Sequence, residues 1–271
     1  MTDWLQLESG GRVLRADASS GYDLSIPLAF DGEQPSFFAA PDASAHPYRI
    51  GHFTGSVATG SSCNCTTHTL TPHCNGTHTE CVGHVTLERL SIRDVRIPSL
   101  LIAHLVSVRP RPLADLDEAI PSDSDSSDPV VGRAQLEAVL PAMHCSALIV
   151  RTLPNTRDKQ SRNYDATCPP YLSAGAAQFL VERRVDHLVL DLPSIDRAHD
   201  GGHLAAHRIF WGLPPGATDA KLARRSHATI TELAFIDDSI ADGEYLLNLQ
   251  VAPFAADAAP SRPMLYRVTA R

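Results

Sequence analysis

Residues 63–84 read CNCTTHTLTPHCNGTHTECVGH, a stretch that holds His68, His73, His78 and His84, the acid Glu80 and four of the chain's six cysteines. Thirteen histidines spread evenly over 271 residues would place about one here, so the cluster points to a metal. Imidazole and carboxylate together suit zinc, manganese or iron(II), and mixed nitrogen and oxygen sites with an open position are the catalytic kind. His78 and Glu80 are two apart, so in extended chain both side chains leave one face. Gly76 is expected to let the backbone fold sharply between His73 and His78. Two other readings remain open here. Cys63, Cys65, Cys74 and Cys81 could hold a structural zinc, although no CxxC knuckle occurs, and the stretch could be a solvated His-rich loop.

Working outward, β-rich runs at Cys63 to Thr71, Leu100 to Val108, Ser146 to Leu153, His187 to Leu192, Thr229 to Ile236 and Tyr245 to Val251 predict strands. Helices are predicted at Arg133 to Leu140, at Ser173 to Arg184 with Ser173 as N-cap, and at Gly202 to Trp211. Asp242-Gly243 predicts a hairpin between the last two strands. Strands outnumber helices, which favours an α/β fold with a mixed sheet or barrel and flanking helices over a doubly wound one. The span 112–132, PLADLDEAIPSDSDSSDPVVG, has six acids and no Lys or Arg, the composition of a solvated acidic loop. The whole chain, 1–271, is expected to form a single domain.

Two distant residues extend the metal reading. In GGHLAAHRIFWG, Leu204, His207 and Trp211 fall at i, i+3 and i+7, which puts His207 on the apolar face of the predicted helix. In ATITELAFI, alternation places Ile230, Glu232, Ala234 and Ile236 on one face and would bury the Glu232 carboxylate. A buried carboxylate needs a compensating cation, either a metal or an arginine such as Arg224 or Arg225.

With 43% apolar residues the chain can bury a large core, and its net charge of −8 argues against nucleic acid or anionic membrane as a partner. A small-molecule substrate is the expected partner. The opening MTDWLQLESGGRVLRAD has no signal-length apolar run, no later run reaches the roughly 20 apolar residues of a spanning helix, and a cytoplasmic location with reduced thiols is expected.

At these residues the sequence resembles the cyclase-like metal-dependent hydrolases that include bacterial kynurenine formamidase and isatin hydrolase. The family motif HxGTHxDxPxH is similar to HCNGTHTECVGH, with Gly76, Thr77 and His78 as its GTH and His84 as its final His. Glu80 stands in place of the family's Asp and Val82 in place of its Pro. DLPSIDRAHDGGHLAAHR resembles the DTPSxD segment followed by a metal-site His, here His207. TITELAFIDDSIADGEYLLNLQVAPF resembles the strand with the metal-site Glu, here Glu232, and PPYLS resembles the family's helix entry.

The resemblance covers roughly Tyr48 to the C-terminus. It implies a swivelling β-barrel, commonly dimeric, so that a homodimer is expected. It also implies a divalent ion, zinc or manganese, one or two in number, among His73, His78, Glu80, His207 and Glu232. Catalytic roles fall to His84, as general base and acid, and to Glu80. His68 and His203 would be outer neighbours at most. Strict motif spacing selects Cys74 as the first ligand, but a thiolate would blunt Lewis acidity, and a bulge beside Asn75 and Gly76 can absorb one residue. We therefore favour His73, with Cys74 as a small buried hydrophobe. The implied activity is hydrolysis of a small amide, formamide or lactam; lactone chemistry at the same site, and a non-catalytic metal-binding protein, are the alternatives.

Overall fold

Runs of Val, Leu and Ile with period-2 alternation bury both faces of a sheet when helices cover one face and the sheet closes on the other. The computed structural model, which describes residues 3–119, 121, 124–140 and 146–269, shows this arrangement. Its main sheet contains β1 (Tyr22–Asp23), β2 (His78–Glu80), β3 (Leu101–Val108), β4 (Ala147–Thr152), β5 (His187–Leu190), β6 (Thr229–Glu232), β7 (Gly243–Val251) and β8 (Ala258–Arg267). The helices are α1 (Pro72–Asn75), α2 (Arg133–Val139), α3 (Ala174–Glu182) and α4 (Ala205–Trp211).

Seven strands run in the order β7-β3-β4-β5-β6-β2-β8, and β8 pairs back onto β7 to close a mixed barrel, with β1 added outside β8. β3, β4, β5 and β6 are parallel, joined by crossovers through α2, α3 and α4. β2, β7 and β8 pair antiparallel to their neighbours. Alternation divides the core into two layers. Ala147, Ile149, Val189, Leu105 and Leu247 fill the barrel interior, while Leu148, Val150, Leu188, Leu190 and Ile230 face the layer containing α3 and α4. Ser173 caps α3, its hydroxyl accepting from Ala176 N at 2.9 Å, a bond worth about 1 kcal/mol.

The mixed α/β barrel matches the expected fold class, and several local expectations change. β6 and β7 are not neighbours, so Asp242-Gly243 makes no hairpin between them; Asp242 instead accepts from Ser107 N and Oγ and from Arg151. The hairpin is β7–β8. The strand expected from Cys63 shrinks to Thr66–Thr69, which pairs with Ser44–Pro47 outside the barrel because TTHT has no apolar face to bury. The strand expected through Ile236 ends at Glu232, because Leu233 turns left-handed at φ 52°. Ala234 and Ile236 therefore join the barrel interior and leave the face of Ile230 and Glu232. The helix expected from Gly202 starts at Ala205, after Gly201, Gly202 and Leu204 at positive φ. The acidic span is partly built into the protein. Its ends pair as Arg111–Pro112 and Pro129–Val131, and Asp128 is buried against Arg197 at 2.6 Å. Residues 120, 122 and 123 lie outside the described residues. No helix among the described residues is long and apolar enough to cross a membrane.

Candidate metal centre

The pairing of β2 with β6 sets Glu80 opposite Ile230 and His78 opposite Glu232. All four side chains leave the barrel on the face covered by α4, and α4 lowers His207 onto them. His207 Nε2 is 2.9 Å from Glu80 Oε1 and 3.6 Å from Glu232 Oε1; His78 Nε2 is 3.4 Å from Glu232 Oε2. His73 Nδ1 comes within 3.1 Å of Glu80 Oε2 and His84 Nε2 within 3.9 Å of it. The sequence-predicted residues thus converge at one point. His78, Glu80, His207 and Glu232 are buried, and His73 and His84 are part-exposed toward the cavity above.

The extra residue at His73 is absorbed differently from the expectation. Pro72 starts a one-turn helix, α1, at its first position, where a missing N–H costs nothing, and the turn aims His73 at Glu80. Gly76 is extended at φ 172°, a conformation open to any residue, so no glycine bend is needed. Cys74 is buried, and burial, with Asp165 and Glu232 adding to it, pushes its thiol up to about 11. Among the described residues, no cluster of potential metal ligands includes a cysteine, which removes the structural-zinc reading of Cys63, Cys65, Cys74 and Cys81.

Each imidazole has one nitrogen fixed by an outer partner and the other turned inward. His78 Nδ1 meets Gly76 O at 3.0 Å, His207 Nδ1 meets Asp196 Oδ2 at 2.6 Å, and His73 Nε2 meets Asp257 Oδ2 at 2.9 Å. Such partners set the tautomer and ring orientation. Glu232 Oε1 is likewise fixed by Ile195 N at 2.7 Å. Arg225 donates instead to Phe210 O, Val185 O and Asp186, so it does not compensate Glu232.

Burial opposes the charge on Glu80, His207, His73 and Asp257, yet for these four the partners win. His84 and His207 hold Glu80 well below the usual carboxylate range; Glu80 and Asp196 hold His207 well above the usual histidine value. Asp257 and Glu80 push His73 up to about 10, and hydrogen bonds from His73 and His84 depress Asp257.

Two residues in this shell carried no role in the sequence reading. Asp196 lies in the DLPSID segment, and only the structure shows it under His207. Asp257 lies between β7 and β8 and gives no local signal; it reaches His73 because Ala258 pairs with Glu80. His68 stands apart, its ring tilted against Phe30 at 4.4 Å, and His203 lines a different cavity.

The family model described as "Putative cyclase" matches residues 22–197, well over half of the chain. The chain belongs to the Cyclase family. No functionally curated protein matches the sequence of this Cyclase member. Similar solved structures include a potential metal-dependent hydrolase with cyclase activity, with a TM-score of 0.61 at 13% identity over 91% of this chain and 97% of that one. An isatin hydrolase bound to the product analogue thioisatinate gives 0.61 at 14% identity, covering 92% of each chain. Isatin hydrolase A from Labrenzia aggregata bound to benzyl benzoate gives 0.59 at 15% identity, over 92% of this chain and 94% of that one. At these identities the likeness shows that this Cyclase chain shares their fold.

Proposed function

We propose that this Cyclase member is a metal-dependent hydrolase of a small amide, formamide or lactam, arylformamidase-like in its preference. The observation that carries the reading is a pair of buried atoms. His78 Nε2 and Glu80 Oε2 make no well-aligned hydrogen bond, although Glu232 Oε2 lies 3.4 Å from the first and His73 Nδ1 3.1 Å from the second, and both atoms point into the cluster of His73, His207 and Glu232. Buried polar atoms without partners cost about 1–3 kcal/mol each, and a divalent cation satisfies an imidazole lone pair and a carboxylate oxygen at once. The donor set of nitrogen and oxygen fits zinc or manganese, held by His73, His78, Glu80, His207 and Glu232. Such an ion supplies Lewis acidity to the substrate carbonyl and to the attacking water.

The chain's own residues supply the rest. Asp196, Asp257 and the Gly76 carbonyl hold the imidazoles in their orientation. His84, half-buried at the cavity edge with Nδ1 3.4 Å from Asp257, is placed to take a proton from water and return it to the leaving amine. The cavity above the cluster, about 720 Å³, is large enough for a small organic substrate.

Elemental analysis combined with turnover assays tests the reading. One or two equivalents of a divalent metal, with an aryl formamide hydrolysed faster than an alkyl amide, is the expected result, because an aniline leaves more readily than an aliphatic amine. Lactone turnover alone would shift the substrate class at the same site. Full metal occupancy with no turnover of aryl formamide, isatin-like lactam or lactone would favour a non-catalytic metal protein. Sedimentation of the same preparation tests the homodimer that the family resemblance implies.

A further inference from the structure

Adjacent phenylalanines at the cavity wall behave in opposite ways. Phe37 is 3% exposed and packs in a small core with Ile26, Tyr164 and Leu233, the residue after Glu232. Phe38 is 58% exposed, with its ring 4.6 Å from that of Phe37 and 6.1 Å from His199, edge to face with both. Both phenylalanines line the cavity that holds His73, His84, His207 and Glu232.

An exposed aromatic alone means little, since apolar atoms make up much of any protein surface. The backbone distinguishes this one. Phe38 and Ala39 lie in the left-handed region at φ 59° and 48°, where a side chain is strained. A relaxed loop would leave that region. It is held there because the Asp165 carboxylate accepts from both Phe38 N and Ala39 N, each at 2.8 Å. The carboxylate's own segment is stapled to the loop by Ser36 N to Arg162 O at 3.1 Å and Tyr164 N to Ser36 O at 2.9 Å. Strain sustained by such over-determination is concentrated at ligand clamps and active sites.

We propose that Phe38 is a specificity-determining residue, the wall on which an aromatic ring of the substrate stacks, and that Asp165 is the positioning residue that holds it over the cavity. The remaining apolar lining, with Phe37, Pro193, Ala198 and Leu204, suits the body of a small aryl compound, while the His and Glu cluster faces its polar end. The assignment names the residue that reads the aryl ring of the substrate proposed above. Its link to turnover rests on the hydrolase reading, but ring binding does not, so the two can fail separately.

The test uses the metal-loaded protein and a matched pair of probes, benzoate and cyclohexanecarboxylate, which share a charge and differ in the flat ring. Calorimetry is expected to show about tenfold tighter binding of benzoate. Phe38→Ala and Phe38→Leu should abolish that preference, Phe38→Tyr should keep it, and Asp165→Ala should reduce it, all with unchanged metal content and oligomeric state. In turnover, Phe38→Ala should lower the ratio of kcat/KM for an aryl over an alkyl formamide by about tenfold. A benzoate preference that depends on Phe38 in a protein that hydrolyses nothing would sustain this inference and reject the hydrolase reading. Equal binding of the two probes by the wild type overturns the inference, as does an unchanged preference in Phe38→Ala or an effect seen only on the oligomeric state.

Discussion

His207 Nε2 lies 2.9 Å from Glu80 Oε1, although 127 positions separate the two buried residues. The contact exists because β2, which precedes the parallel run in sequence, inserts beside β6, the last strand of that run, and α4 is the crossover that leads into β6. The same geometry makes Asp196 a support for His207. It accepts from the ring Nδ1 at 2.6 Å and from the backbone of His207 at 3.0 Å. Asp196→Ala should weaken metal binding by about 10–100-fold, measured by chelator competition, with the fold retained. Unchanged affinity would show that His207 needs no such support.

His73 and Cys74 give opposite expectations from adjacent positions. His73 sits 3.1 Å from Glu80, while Cys74 joins no ligand cluster. His73→Ala should lose bound metal and Cys74→Ser should keep it, read by mass spectrometry of the native protein. The reverse pattern would move the ligand to the thiol and favour zinc.

His84 lies 3.9 Å from Glu80 and 3.4 Å from Asp257, close enough to share an ion with Glu80 and His207, so its role has to be separated from that of a ligand. His84→Ala is expected to retain the metal and lower kcat by about 100-fold or more, the usual scale of a lost general base. Loss of metal together with activity would make His84 a ligand.

Away from the site, His187 is buried, and burial outweighs the raising effect of Asp186, with His227 and Arg225 also lowering, so its pKa falls from 6.5 to about 4. Its neutral ring bonds Thr229 Oγ1 at 2.9 Å. Between these values the unfolded chain binds a proton that the native protein refuses. The stabilisation is fully present above pH 6.5 and is lost as pH falls through about 4. The loss amounts to about 3 kcal/mol in total. Urea midpoints at pH 7 and pH 4.5 should therefore converge in His187→Gln relative to the wild type. Equal pH slopes in both proteins would contradict this.

The sequence by itself determined which donor-bearing side chains were candidates for the cluster and most of the elements that bear them. The density of histidine around Glu80 marked the metal stretch, alternation marked β3 to β7, and the apolar face of GGHLAAHR marked His207, because each is a local pattern written in consecutive residues. Tertiary structure alone decided which elements became neighbours. The turn at Asp242-Gly243 has hairpin chemistry, yet β7 pairs with β3 and β8, since barrel closure buries more apolar surface than a local pair could. Leu233 in a left-handed conformation moved Ala234 and Ile236 to the interior and left Glu232 facing α4, a choice invisible in an alternating sequence. Asp257 and Asp165 are single acids in loops, indistinguishable by composition from solvated ones. Only the pairing of β8 with β2, and of Ser36 with Asn163, brings one to His73 and the other beneath Phe38, because a carboxylate's role is set by the donors that the fold carries to it.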